Sequence, residues 1–280
     1  MASINIDQVV GIVAVVTSLI VSLFVWQFSG ELGWELPDQN MWALLTFIAC
    51  GAGWFYLYIE ISLRYLIPRM KSTEPELMTL DLERSNLDEI SLASIENLDQ
   101  YERINLGMNE LKTIDLSPLA GSDNLRELIL YYNRLQEIDL GPLTTCVNLE
   151  YLDLEINNIR SIDLTPLVSC KKLNALNLGG NETGRLDLKP LSKLRDLKIL
   201  SIDDMKLKEL DLEPLRNCKK LEFLKLNDNE LKTLDITPLF ECEELSNFEV
   251  GYVELTTTLN RPMEDWPEGV RKHKKKFRKS

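Results

Sequence analysis

Four cysteines recur at fixed intervals in the second half of the chain: Cys146, Cys170, Cys218 and Cys242. Thiols so spaced suggest metal ligation, a disulfide or a core position filled the same way in successive repeats. Leu98, Ser122 and Leu194 occupy the same register elsewhere, which favours core filling by small side chains. A column of residues on successive coils cannot surround one ion tetrahedrally. Six aspartates, Asp115, Asp139, Asp163, Asp187, Asp211 and Asp235, recur on the same interval. Carboxylates in such a column either bind calcium or accept hydrogen bonds from backbone N–H groups just downstream. With Lys112, Arg160, Lys208 and Lys232 three residues before four of them, the capping role is favoured. His273 is the single histidine in the 280-residue chain. Neither a zinc site needing paired imidazoles nor an acyl-transfer triad can be built. No Walker loop, dinucleotide fingerprint, nucleophile elbow or kinase signature is present. The chain therefore reads as a non-enzyme, with no cofactor, no metal and no small-molecule substrate. Its net charge of −13 and pI of 4.7 also argue against nucleic acid as a partner.

The interval belongs to a repeat of 24 residues that begins at Leu77, Tyr101, Leu125, Leu149, Leu173, Leu197, Leu221 and Leu245. A typical unit, Leu149–Lys172, reads LEYLDLEINNIRSIDLTPLVSCKK. Apolar residues fill positions 1, 4, 6, 11, 14, 16 and 19, and asparagine holds position 9 at Asn109, Asn133, Asn157, Asn181 and Asn229. Positions 4 and 6 alternate with polar ones, the pattern of a short half-buried strand. No unit can cover its own apolar side, so the units must stack. Their strands would then form a parallel sheet about 4.8 Å apart on a concave face. The asparagines would form a ladder where the chain leaves the sheet. Proline at 118, 142, 166, 190, 214 and 238 suits the start of a 3-10 or short helical turn on the convex face, with Ser117, Thr165 and Thr237 as candidate caps.

The L-x-x-L-x-L-x-x-N-x-L pattern, held over seven consecutive units, resembles the leucine-rich repeat family. The PL-x-x-C-x-x-L stretch is similar to the convex segment of its Treponema-type subclass. The resemblance covers about residues 77–258 and implies an α/β leucine-rich-repeat solenoid whose concave face recognises a protein.

Strand alternation frees positions 3, 5, 7 and 8 from core duty. Most hold what a solvated sheet would hold, such as Asp81, Glu83, Asp153, Glu155, Asp203, Asp204 and Asp228. The third and fourth units instead place Ile129, Tyr131, Tyr132, Tyr151 and Ile156 there, with Ile199 and Phe223 further along. Exposed aromatics rimmed by charge are candidate protein contacts. The alternative is cross-strand pairing that merely stabilises the sheet. The acidic rim calls for a partner carrying basic residues around an apolar centre.

Ahead of the repeats, Val9 to Phe28 contains no charge in twenty residues, enough to span a bilayer core. A second apolar run extends over 41–67, ending before Pro68. Together residues 1–71 read as a transmembrane helical hairpin, with 72–76 a linker, 77–258 seven full repeats and one degenerate, and 259–280 a C-terminal cap and basic tail. The loop Ser29–Asn40 lacks lysine and arginine, whereas Arg64, Arg69 and Lys71 stand at the exit of the second run. Both termini and the solenoid are thus expected on the cytoplasmic side. The composition suits a prokaryotic plasma membrane, archaeal ones included. Small residues every fourth position (Ala14, Ser18 and Ser22; Ala49 and Gly53) suit either packing within the hairpin or contact with a membrane complex. The tail, with Arg271, Lys272, Lys274, Lys275, Lys276, Arg278 and Lys279, reads as a lipid-surface or acidic-partner segment, a strap on the acidic solenoid, or a solvated end. The leading function is a membrane-anchored scaffold or adaptor. The alternative is an accessory subunit held by its hairpin in a larger complex.

Overall fold

The computed structural model describes residues 77–259 and 262–276. The expected membrane spans and linker, and Arg278 and Lys279 of the tail, lie outside them. Among the described residues no helix is long and apolar enough to cross a membrane.

Each 24-residue unit forms one coil, because its leucines can be covered only by those of its neighbours. Strands β1 (Thr79–Asp81), β2 (Arg103–Asn105), β3 (Glu127–Ile129), β4 (Tyr151–Asp153), β5 (Ala175–Asn177), β6 (Ile199–Ser201), β7 (Phe223–Lys225) and β9 (Asn247–Glu249) make one parallel sheet in chain order. The register is in step with the repeat: Ile104, Leu128, Leu152, Leu176, Leu200, Leu224 and Phe248 align and are buried to 2% exposure or less. An unexpected pair, β8 (Thr233–Asp235) with β10 (Glu254–Thr256), adds a two-stranded parallel sheet at the last coils.

The opposite side is built from 3-10 turns at Ser117–Leu119, Gly141–Thr145, Thr165–Ser169, Lys189–Lys193, Glu213–Asn217 and Thr237–Glu241, each with proline in its first two residues. The caps differ from the expected hydroxyls. Leu116, Leu164 and Ile236 occupy the cap positions and supply no side-chain bond. Instead the aspartate column does the work. In all six coils its Oδ1 accepts the N–H two residues on, at 2.8–2.9 Å. A carboxylate held this way satisfies the first N–H of a turn too short for a full helical ladder. Asp115 and Asp163 are consequently held below the usual carboxylate range, chiefly by the hydroxyls of Ser117 and Thr165 and then by those N–H groups.

Cys146, Cys170, Cys218 and Cys242 are buried free thiols. Each Sγ lies 3.3–3.5 Å from a leucine carbonyl of the preceding unit and donates to it. Burial pushes them up to about 11 for Cys146 and about 12 for the other three. Such thiols are inert at neutral pH. Among the described residues no cluster could hold a metal ion.

The asparagine ladder is the second repeated device. Asn157 accepts from Leu135 N–H at 3.1 Å and donates to Leu130 O at 3.0 Å and Leu154 O at 3.1 Å, stitching one coil to the next. Asn181 is bound in the same way and only 2% exposed. Its amide is therefore unavailable to the Asn181-Glu182-Thr183 glycosylation sequon.

At the C-terminal end, a one-turn helix α1 (Glu268–Arg271) lies against β9. Gly269 is needed there, since a Cβ would sit 2.9 Å from Phe248 N. Its N–H donates to Leu245 O at 2.9 Å. Val270 is fully buried, and Trp266 meets Phe240 edge to face at 5.2 Å. Beyond it, the Arg271 Nε donates to Trp266 O, the Lys272 Nζ to Ser246 O, and His273 Nε2 to Phe248 O. Lys272 and His273 thus bind the last coil, and Arg271 the cap segment. Lys274 and Lys275 are exposed, and Lys276 closes a final 3-10 turn.

Candidate protein-binding face

The sheet side carries four rows of side chains, set by the in-step register. The position-3 row runs Glu127, Tyr151, Ala175, Ile199 and Phe223 through paired Cα partners. The position-5 row beside it runs Ile129, Asp153, Asn177, Ser201 and Lys225. Positions 7 and 8 follow after the strands, as the chain turns away.

The fifth unit presents only small side chains beside Asn177: Ala175, Gly179 and Gly180. Glycine is required at two of these. A Cβ on Gly179 would sit 2.5 Å from Asp203 Oδ1, and Gly180 has φ +67° with Ile156 over it. Asp203 and Ile156 thus pack into the space the two glycines leave, and Ile156 and Ile199 are each 40% exposed.

Polar residues on the neighbouring strands are organised into buried networks. Asp153 is fully buried. Its Oδ2 accepts from Tyr151 Oη at 2.6 Å and Asn177 Nδ2 at 3.4 Å, and its Oδ1 from Glu155 N–H at 3.0 Å. Burial raises its pKa above the usual value despite those three donors. Asp203 is also buried; its Oδ1 accepts from Ser201 Oγ at 2.6 Å and its Oδ2 pairs with Lys225 Nζ at 2.9 Å. Asp204, exposed beside it, is raised by partial burial and then by the charges of Asp203 and Asp228. Two acids assigned to a solvated sheet, Asp153 and Asp203, are thus interior groups. Cross-strand hydrogen bonding made their burial tolerable.

The expected contact residues separate into three groups. Tyr132, Ile156 and Ile199 are exposed, Tyr132 at 54%. Tyr151 and Phe223 are half-buried. Ile129 and Tyr131 are buried, at 3% and 6%, and correct the expectation that they project freely. Tyr131 lies across Gly107, where a Cβ would come within 2.4 Å of its ring. Its hydroxyl donates to Glu83 Oε1 at 2.9 Å, two units away. Burial, followed by that bond and the Glu83 charge, pushes the phenol well above its ordinary value. The signal was present in the sequence as Gly107 opposite Tyr131 in register, a glycine whose missing side chain leaves a bed for the ring. The residues that sequence reasoning missed are the glycines and Ala175, which shape the face by what they lack.

Residues 75–135 and 123–182 match the family model described as Leucine rich repeat. No curated protein matches in sequence. Among solved structures, an internalin (inlF) from Listeria monocytogenes is similar at 27% identity and a TM-score of 0.53, over 63% of this chain and 48% of its own. Internalin C2 from the same organism gives 26% and 0.54, over 65% and 74%. A leucine-rich-repeat protein of Leptospira interrogans gives 28% and 0.53, over 65% and 43%. The match thus spans under half the length of the first and third of these proteins.

Proposed function

We propose that this leucine-rich-repeat solenoid, tethered to a membrane by the hydrophobic hairpin of residues 1–71, is a scaffold or adaptor that captures a protein partner on its sheet face. The observation that carries the reading is the exposure of Tyr132, Ile156 and Ile199 on or beside the sheet, in the third, fourth and sixth units. Apolar side chains left uncovered on a sheet face have surface to bury against a partner, and the polar networks beside them order that face. The family match and the similar solenoids support a protein-recognition role. The buried cysteine column fits the Treponema-type convex segment. The charge-free run Val9–Phe28 and the basic exit of the second run support the anchor, with the solenoid on the cytoplasmic side of a prokaryotic membrane.

The test is site-specific photo-cross-linking of the full-length chain in native membranes. A benzophenone side chain at Tyr132 or Ile156 is expected to capture a discrete partner, and one at Thr144, exposed on the 3-10 turn Gly141–Thr145, to capture none. Capture from Thr144 alone, or from the 1–71 hairpin alone, would replace this reading with the accessory-subunit one.

A further inference from the structure

The turns that lead into β5, β6 and β7 carry cations where the equivalent turns into β2, β3, β4 and β9 carry none. They hold Lys171 and Lys172, then Arg195, then Lys219 and Lys220, all exposed. Acids on the same edge are mostly neutralised: Asp196 pairs with Lys220 at 2.6 Å, Glu222 with Lys198 at 2.8 Å, and Glu150 with Arg126 at 3.4 Å. Lys171, Lys172, Arg195 and Lys219 have no ion-pair partner among the described residues. The cationic stretch is bounded by Asp99 and Asp123 in earlier turns and by Glu243 and Glu244 in the next. Its extent matches the apolar part of the position-3 row, because Ala175, Ile199 and Phe223 each follow their turn's first cation by four residues. That row ends at the Glu127–Arg103 ion pair on one side and at Asn247 on the other. The far side of the sheet, with Glu155, Asp204 and Asp228, is acidic. The two edges of the face therefore select opposite charges, and an acidic rim alone does not describe it.

We propose that the apolar row Tyr151–Ala175–Ile199–Phe223 and the cationic turns of Lys171, Lys172, Arg195 and Lys219 form one docking strip for an acidic polypeptide segment bearing aliphatic or aromatic residues. This rests on the protein-binding reading and names the chemistry of its partner. The segment crosses the strands, seats its apolar side chains on Ile199 and Phe223, and turns its carboxylates toward the unpaired cations. A polypeptide fits better than a lipid surface. Ala175 is buried and Tyr151 and Phe223 are half-buried, so a flat bilayer meets the turns without reaching the row. Unpaired exposed cations beside uncovered apolar surface favour an anionic amphipathic ligand, and their long-range field speeds its approach.

The experiment selects a random peptide library displayed on phage against the full-length chain held in neutral detergent. Selected peptides are expected to be rich in aspartate or glutamate with interspersed leucine or aromatic residues. Their affinity should fall about tenfold or more in the Lys171→Glu/Arg195→Glu/Lys219→Glu variant, and again in high salt. Because that triple variant touches exposed groups only, its circular dichroism should be unchanged; Ile199→Ser, with the charges intact, serves as a second variant and should also weaken binding. Basic or charge-indifferent selected peptides would overturn the proposal, as would acidic ones that bind both variants normally. Phosphatidylserine vesicles form a parallel arm: their capture by the wild-type chain and loss in the triple variant, without any such effect on peptides, would assign the strip to lipid and also overturn it. If cross-linking from Tyr132 and Ile156 survives charge reversal undiminished, the protein-binding face stands and the strip falls.

Discussion

Removing one rung of the asparagine ladder should have a cost set by how many backbone groups lose their last partner. Asn157 makes bonds to Leu135 N–H, Leu130 O and Leu154 O. Yet Leu130 O also accepts from Asn133 at 3.0 Å, and Leu154 O from Asn181 at 2.9 Å. In Asn157→Ala both carbonyls keep a donor, and Leu135 N–H is the group newly stranded. One orphaned buried donor costs about 1–3 kcal/mol. Asn229 stands differently, because its neighbours in the ladder are Met205 and Val253. It accepts from both Met205 N–H and Leu207 N–H and donates to Ile202 O and Leu226 O. None of these four groups has a second asparagine to fall back on. Asn229→Ala should therefore cost more, about 2–5 kcal/mol, reduced from the four-group maximum because Asn229 is only part-buried and water can reach the site. Urea unfolding of the full chain, followed by far-UV circular dichroism, measures both variants. In a stack of nearly two hundred residues each kcal/mol moves the melting point by roughly 2–4 °C, so the ranking is resolvable. An Asn157→Ala variant as destabilised as Asn229→Ala would refute the reasoning that shared acceptors buffer the ladder.

Other expectations follow from the same contacts. Gly107→Ala should push the Tyr131 ring off its bed and break its bond to Glu83, destabilising by about 1–3 kcal/mol; ultraviolet titration should then show that phenol moving back toward its ordinary value. Cys146, Cys170, Cys218 and Cys242 should resist iodoacetamide at pH 8 in the folded chain and all react once it is unfolded, as read by peptide mass mapping; their elevation to about 11–12 leaves little thiolate. The two kinds of aspartate should titrate in opposite senses by carboxyl NMR. Asp115 and Asp163, held low, contribute stability present above the unfolded value of 3.8 and lost as pH falls through their folded values. Asp153, held high, contributes in the other direction, its effect present below 3.8 and lost as pH rises through its folded value. Trp266→Ala should lower the melting temperature by removing the ring that packs edge to face on Phe240, at a cost of about 2–4 kcal/mol for this half-covered side chain.

The stacked fold was legible in the chain because its cause is local and repeated. An apolar pattern that returns every 24 residues leaves each unit unable to cover itself, and stacking in register is the arrangement that buries Leu128, Leu152 and Leu176 against one another. The asparagine and cysteine columns followed from the same logic, since a residue in step with the repeat must meet its equivalent. Exposure on the sheet face was not legible. Alternation says which side of a strand a residue leaves from, but not what lies above it there. Tyr131 is buried because Gly107, in the preceding unit, offers no side chain to hold it off, and Asp153 because Tyr151 and Asn177 close over it. The aspartate column's capping role was legible too, since downstream N–H groups stand within reach of each carboxylate; the hydroxyl caps expected of Ser117, Thr165 and Thr237 were not, because the backbone path puts Leu116, Leu164 and Ile236 at the cap. The proposed cationic strip was legible only in part: Lys171, Arg195 and Lys219 share one repeat position and had to line up, but the pairing of Asp196 and Glu222 with Lys220 and Lys198 needed the tertiary contacts. Repetition fixes what each residue's equivalents will be; contact across the repeats fixes what each one is free to touch.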